Sequence, residues 1–258
     1  MSAPAAESFT RETVLWRQRW SDKLFSFRIS RPDNWRFTAG QFARIGLEDG
    51  TGKLWRAYSM VNAEWDDYLE FYSIVVPDGQ LTPRLSRLEV GDTLLLDARA
   101  NGFFTADRLP DGEVLWLLAT GTGLAPYLSI LQQPAIWQRF GAIRLVHGVR
   151  DASDLNYQGF IAQLPNHPLW QAHAYKFGYL PVVTRDVPPG VLSARLPELI
   201  ANGELARAAG VPLEPAGGRV MICGNPKMVA DTFRTLVGQG FKLSRLREPA
   251  QVVLENGW

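Results

Sequence analysis

Apolar and polar positions take turns through much of the first hundred residues. In residues 13–16 and 25–30 the alternation has the two-residue period of a strand with one buried face. Further β-type runs cover 42–47, 54–61, 69–76 and 93–98. Turn signals separate them, among them Asp49-Gly50-Thr51-Gly52, Pro77-Asp78-Gly79 and Gly91-Asp92. Six short strands with frequent turns predict a small antiparallel β-barrel, since closure removes exposed sheet edges. Residues 81–88 predict one short helix across a barrel end. The pattern changes at Val114. The unbroken apolar run 114–119 predicts a strand buried on both faces, as in a parallel sheet. Further strands are predicted at 141–148, 180–184, 218–223 and 251–254, with helices at 124–132, 154–164, 193–202 and 225–238. Residues 137–141 and 187–190 predict surface connections. Strand–helix alternation predicts parallel strands with right-handed crossovers. The expected architecture is therefore two-domain: an antiparallel β-barrel domain, residues 1–106, followed by an α/β parallel-sheet domain, residues 113–258. A linker rich in Asp, Pro and Gly lies around 105–112.

Composition narrows the function. A chain of 258 residues suits two cores better than one. With 27 basic and 26 acidic residues the net charge is +1, so neither nucleic acid nor a membrane surface is an expected partner. No apolar run approaches the roughly 18 residues of a membrane span, and residues 1–8 carry no signal-peptide pattern, so a cytoplasmic chain is expected. The single cysteine, Cys223, excludes an intrachain disulfide, a four-cysteine zinc site and an iron–sulfur cluster. His147, His167 and His173 do not fall at ligand spacing, and no metal is expected.

The chemistry centres on Gly121-Thr122-Gly123-Leu124-Ala125-Pro126, between the strand 114–119 and a helical apolar face. A strand–glycine loop–helix unit presents backbone N–H groups and a positive helix end to an anion, usually phosphate. Here the pattern is G-x-G-x-x-P; a plain strand-to-helix turn is the alternative. Ligands of open α/β sheets bind beyond the strands' carboxyl ends. Cys223-Gly224-Asn225-Pro226 and the chain end at Trp258 reach the same edge. On the barrel, Arg56-Ala57-Tyr58-Ser59 places a guanidinium and a ring on one face, suiting a ligand with phosphate and a planar ring; alternation puts Ser59 opposite unless a bulge re-aims it. Gly79-Gln80-Leu81-Thr82 is a second glycine turn opening a helix, and Thr82 suits an ordinary N-cap.

Taken in order, these pieces resemble the ferredoxin/flavodoxin–NADP reductase family, particularly its bacterial group ending in Trp. Beyond the motifs already quoted, the resemblance rests on Ala39-Gly40-Gln41-Phe42, Val76 through Leu85, Gly102-Phe103-Phe104, Tyr127 and Glu255 through Trp258. Asn101 and Gly257 depart from it. The resemblance implies an FAD-binding barrel joined to an NADP-binding α/β domain. Carried over, Arg56 would hold the FAD pyrophosphate, Tyr58 would stack on the isoalloxazine and Ser59 would bond near the reactive flavin nitrogen. Tyr72, Ser73, Ile74 and Val75 would line the flavin with their backbone, Gly79, Leu81 and Thr82 would hold phosphates, and Thr122 would approach the nicotinamide. Cys223 and Glu255 are implied tuning or proton-relay residues, though a small buried thiol and a solvated tail carboxylate explain them equally. Trp258 would stack on the FAD adenine. Gly121, Gly123, Gly224 and Asn225 form the NADP edge. Arg150, Arg185 and Arg195 match the family's 2′-phosphate arginines, and Arg150 stands where an NAD enzyme typically carries an acid. Lone solvated arginines are the alternative.

The implied activity is hydride transfer from NADPH to the flavin, then one-electron transfer to ferredoxin or flavodoxin, bound transiently through charge by a monomeric reductase. Lys242, Arg245, Arg247, Arg84 and Arg87 would form the basic rim. Two other readings fit the scaffold. One is an NAD(P)H–flavin reductase or an oxygenase reductase component. The other is a flavoprotein carrier or redox sensor without nucleotide turnover.

Overall fold

The computed structural model describes every residue except 1–7, 49, 51 and 258. The first sheet comprises β1 (Phe9–Arg19), β2 (Leu24–Ser30), β3 (Phe42–Glu48), β4 (Lys53–Ser59), β5 (Tyr68–Ile74) and β6 (Thr93–Asp97), in the order β4-β3-β6-β1-β2-β5 and antiparallel throughout. A bridge between Met60 and Phe71 brings the end of β4 against β5 and closes the barrel. Alternation packs Phe25, Phe27, Ile29, Ile45, Leu69, Phe71, Leu94 and Leu96 inside it. The first strand is far longer than the segment 13–16, because charged residues on its outer face mask its period. Residues 81–88 shorten to α1 (Thr82–Leu85).

The second sheet is parallel: β7 (Val114–Thr120), β8 (Ala142–Val149), β9 (Phe177–Val183), β10 (Gly218–Gly224) and β11 (Val252–Asn256), in the order β11-β10-β7-β8-β9. The order reverses between β7 and β10, so a crevice opens there beyond their carboxyl ends. Helix α2 (Ala125–Ile130) follows β7, α3 (Pro134–Arg139) precedes β8, and α4 (Gln158–Gln163) precedes β9. Between β9 and β10 lie α5 (Leu196–Ala201) and α6 (Glu204–Ala209), and α7 (Pro226–Gly238) leads toward β11. Asn225 caps α7, its side chain accepting from the N–H groups of Lys227 and Met228.

Three expectations are corrected. Residues 137–141 are not simply a surface connection, since Trp137 lies on α3, fully buried and stacked on Trp170 with ring centres 5.7 Å apart. A helix of six residues is too short to display a 3.6-residue period. Residues 154–164 are not one helix, since Tyr157 adopts φ +61° and α4 begins after it. The left-handed turn aims the Tyr157 ring into the barrel, where its hydroxyl lies 2.6 Å from Ser26 Oγ. Thr82 is not an N-cap; its Oγ1 accepts from the Val76 N–H at 2.9 Å and closes the glycine turn instead.

The sheets share one apolar core. It joins Leu24, Ala39, Val61, Tyr72 and Phe104 of the barrel to Leu117, Leu128 and Ile130 beyond it. Among the described residues no helix is long and apolar enough to cross a membrane. Trp137→Ala is expected to lower stability by about 3–5 kcal/mol. Urea denaturation checks this, and an unchanged midpoint would contradict the buried stack.

Candidate functional site

The carboxyl ends of β7, β10 and β11 face the barrel across a cleft of about 490 Å³. From the barrel, Arg56, Tyr58 and Ser59 of β4 line it, joined by Tyr72, Ser73 and Ile74 of β5 and by Gly79, Leu81 and Thr82 of the turn. Thr122, Gly123, Cys223 and Glu255 line the opposite wall. Val75 does not; Ile74 and Val76 flank the cleft while Val75 donates its N–H to the Lys23 carbonyl. Ser59 shares the cleft with Tyr58 rather than facing away from it, because it ends β4, where Met60 turns to bridge Phe71. Trp258 lies outside the described residues.

Close backbone approach builds the far wall. A Cβ on Gly123 would lie 2.6 Å from the Cys223 carbonyl oxygen, so only glycine lets the loop after β7 touch the end of β10. Gly224 has φ +139°, and a Cβ there would meet Thr120 Oγ1 at 2.2 Å. Thr120 Oγ1 in turn accepts from the Asn225 N–H at 3.1 Å. Gly121, Gly224 and Asn225 thus shape the loop from outside the cleft lining.

Burial governs the ionisable groups of this wall. Strand pairing sets Glu255 directly opposite Cys223. Burial pushes the Glu255 carboxyl up to about 7, against the opposing hydrogen bond from Ser59 Oγ at 3.3 Å. Burial, and the adjacent Glu255 charge, push the Cys223 thiol well up. A solvated tail carboxylate is therefore not what the fold makes of Glu255. Behind the loop, fully buried His147 lies 3.1 Å from the Gly121 carbonyl through Nε2, and burial brings it down to about 4. His147 was not among the candidates; its place between Val146 and Gly148 in a buried strand was the available signal.

The lining fits a dinucleotide flavin. The Tyr58 hydroxyl, turned toward Ser73, is the one buried side-chain polar atom among the described residues without a hydrogen-bond partner, and burial pushes it up to about 12. A buried orphan of this kind marks a place completed by something else. The glycine turn next to it is preformed, with the Gly79 N–H on the Val76 carbonyl at 2.9 Å and the Thr82 hydroxyl turned inward. Phe42, which sequence reasoning placed only within a motif, forms the floor beside Gly102.

The three arginines stand outside the cleft. Arg150 follows β8 and Arg185 follows β9; the Arg185 N–H donates to the Arg150 carbonyl at 2.9 Å, so the two are neighbours. Arg195 begins α5, and the next residue, Leu196, reaches to within 3.9 Å of where a Gly148 Cβ would lie. All three side chains are exposed.

Known proteins match this arrangement. Residues 17–101 match the family described as Oxidoreductase FAD-binding domain, and residues 117–234 the one described as Oxidoreductase NAD-binding domain. A ferredoxin–NADP reductase of Pseudomonas aeruginosa is 41% identical over 96% of both chains. The chain belongs to the ferredoxin/flavodoxin–NADP reductase family. A flavodoxin/ferredoxin–NADP reductase of Shigella flexneri is 45% identical over 83% of this chain and 84% of its own. The crystal structure of a ferredoxin NADP+ reductase from Neisseria gonorrhoeae, with bound FAD and NADP, superposes with a TM-score of 0.91 at 43% identity, covering 97% of this chain and 99% of that one. The family membership favours the reductase reading over a carrier or sensor without nucleotide turnover.

A carboxyl raised from 4.5 to about 7 in the folded chain binds its proton more tightly there than in the unfolded chain. Its contribution to stability is therefore full below pH 4.5 and is lost as pH rises toward 7. Glu255→Gln should remove this slope, and the gap between variant and wild type should shift by roughly 2–3 kcal/mol across that window. Chemical denaturation at stepped pH reads it; parallel curves would contradict the buried acid.

Proposed function

We propose that this chain is an FAD-dependent reductase exchanging electrons between NADPH and ferredoxin or flavodoxin. The observation that carries the reading is the meeting of two walls: Tyr58 and Ser59 from the barrel, Thr122, Cys223 and Glu255 from the parallel sheet, in one cleft. FAD bound there supplies the chemistry, taking hydride from NADPH and releasing electrons singly.

The chain's own residues position and insulate. Arg56 would hold the FAD pyrophosphate, the Tyr58 ring would stack on the isoalloxazine, and the orphan Tyr58 hydroxyl would gain a partner with the cofactor bound. Ser59 presents its hydroxyl near the reactive flavin nitrogen while bound to Glu255. The Glu255 carboxyl can hold or release a proton near neutrality, and Cys223 fills the wall as a thiol, uncharged. On the other side Thr122 approaches the nicotinamide, and Arg150, Arg185 and Arg195 hold the 2′-phosphate with guanidinium forks. The domains responsible are residues 1–106 for FAD and 113–258 for NADP.

The electron carrier docks beside the cleft. Phe103 and Leu246 are both 76% exposed, and the guanidinium of Arg108 lies 5.5 Å over the Phe103 ring. Ser244 donates to the Arg108 carbonyl at 2.7 Å and so pins the loop of Leu246 to the same patch. Lys242, Arg245 and Arg247 flank Leu246 along the chain, Arg84 lies on α1 and Arg87 just after it, and this basic rim steers an acidic partner.

Stopped-flow mixing of the yellow holoprotein with NADPH and NADH tests the reading. Flavin should bleach far faster with NADPH, and heat-released flavin should co-migrate with FAD rather than FMN. Arg150→Ala and Arg185→Ala should each raise KM for NADPH roughly 10- to 100-fold, the loss of one charge-assisted contact, and leave NADH almost unaffected. Equal effects on both nucleotides would refute the 2′-phosphate assignment. Reduction of an acidic carrier should slow as ionic strength rises, and more weakly so in Arg245→Glu. A rate indifferent to salt would remove the docking rim.

A further inference from the structure

The segment between the phosphate arginine and α4 crosses from one domain to the other and ends in the barrel. At its start Asp151 Oδ2 lies 3.8 Å from Arg185 Nη1, and the Ala152 N–H donates to Asp186 Oδ1 at 2.7 Å. Asp154, nearly buried, then pairs with Lys23 of the barrel at 2.9 Å. Asn156 Nδ2 donates to the Tyr72 hydroxyl at 2.9 Å, with both groups buried. Tyr157 donates to Glu70 Oε1 at 2.8 Å, and its ring meets that of Tyr72 edge-on at 5.3 Å. The left-handed backbone at Tyr157 lets the two consecutive side chains enter the barrel together.

Tyr72 is not an ordinary interface residue. Its other neighbours place it on the wall of the flavin cleft. One short covalent segment therefore runs from the arginine proposed to hold the 2′-phosphate to a ring of the flavin wall. Each connection along it is a polar contact, and the inner ones are buried, where a missing partner is not replaced by water.

We propose that residues 150–157 form a strap through which a bound nicotinamide nucleotide sets the flavin environment, with Asn156 the residue that positions Tyr72. The inference rests on the proposed NADPH and FAD sites. Occupying Arg150 and Arg185 fixes the outer end of the strap; Asn156 passes that constraint to the Tyr72 ring, and the ring to the flavin. Asn156 itself touches neither ligand.

The test uses the FAD-loaded enzyme. NADP+ is titrated while the flavin difference spectrum is followed, 2′-AMP binding is measured by calorimetry, and flavin reduction is timed at saturating NADPH. In Asn156→Ala the nucleotide-induced spectral change should shrink by about half or more and reduction should slow about 3- to 10-fold, while 2′-AMP affinity stays within about 2-fold. Tyr72→Phe, which deletes one oxygen and keeps the ring, should reproduce the spectral and kinetic losses. The double variant should be no worse than either single one, because both remove the same bond. If Asn156→Ala fails to retain FAD, Tyr72→Phe alone carries the test. An unchanged spectrum and rate, multiplying effects in the double variant, or a parallel loss of 2′-AMP affinity would each overturn the strap. Absence of any spectral response or 2′-AMP binding in the wild type would instead defeat the NADP reading, and the strap with it.

Discussion

The cleft depends on a helix of six residues. Every residue of α2 is buried, and it sits where the two sheets meet. Its Ser129 hydroxyl donates to the Asn62 carbonyl at 2.7 Å, and Gln132 just beyond it donates to the Val61 carbonyl at 3.0 Å. Both acceptors belong to the barrel segment directly after β4. The same helix begins at the glycine loop and carries Pro126 in its first turn, where a missing N–H costs nothing. One short element thus fixes the distance between Tyr58 on one wall and Thr122 on the other. Apolar packing of this helix contributes most of its energy, and the polar bonds choose the register.

Periodicity located the strands because the two sheets obey different rules. The barrel strands alternate, and β7 is a continuous apolar run, as expected for a sheet covered on both faces. Glycine chemistry located the loop after β7. What escaped was short or bent. Trp137 sits on a helix of less than two turns, and Tyr157 breaks what had the composition of one longer helix. Neither is visible without tertiary context, since burial of Trp137 is decided by Trp170 and the turn at Tyr157 by Ser26 and Glu70. The environment of Glu255 was equally hidden. Its carboxyl is raised by burial in the wall that parallel pairing with β10 creates, and register between distant strands is not written in local sequence.

The fold separates two electrostatic regimes. Inside, burial drives Glu255, Cys223 and, behind the loop, His147 toward their neutral forms, with Glu255 poised near 7. A low-dielectric wall of that kind strengthens the dipoles that face the cleft. Outside, the basic residues are solvated. Arg185 keeps 61% of its side chain exposed and is only weakly engaged by Asp151 at 3.8 Å. Such a pair costs little to break, so the guanidinium is available to a phosphate without first losing a strong partner.

The two regimes also divide the work of binding. With a net charge of +1 over the whole chain, the protein exerts no long-range field of one sign, and attraction must be local. Exposed basic groups stand, among other places, at the strand ends that carry Arg150 and Arg185 and in the loop of Arg245 and Arg247. Both places are exposed, so charge there is screened by salt. The FAD site has the opposite design: buried rings, an orphan hydroxyl and glycines that admit no side chain. Burial suits retention of a cofactor and solvated charge suits exchange, so the proposed nucleotide-phosphate and carrier sites lie outside the cleft that would keep FAD.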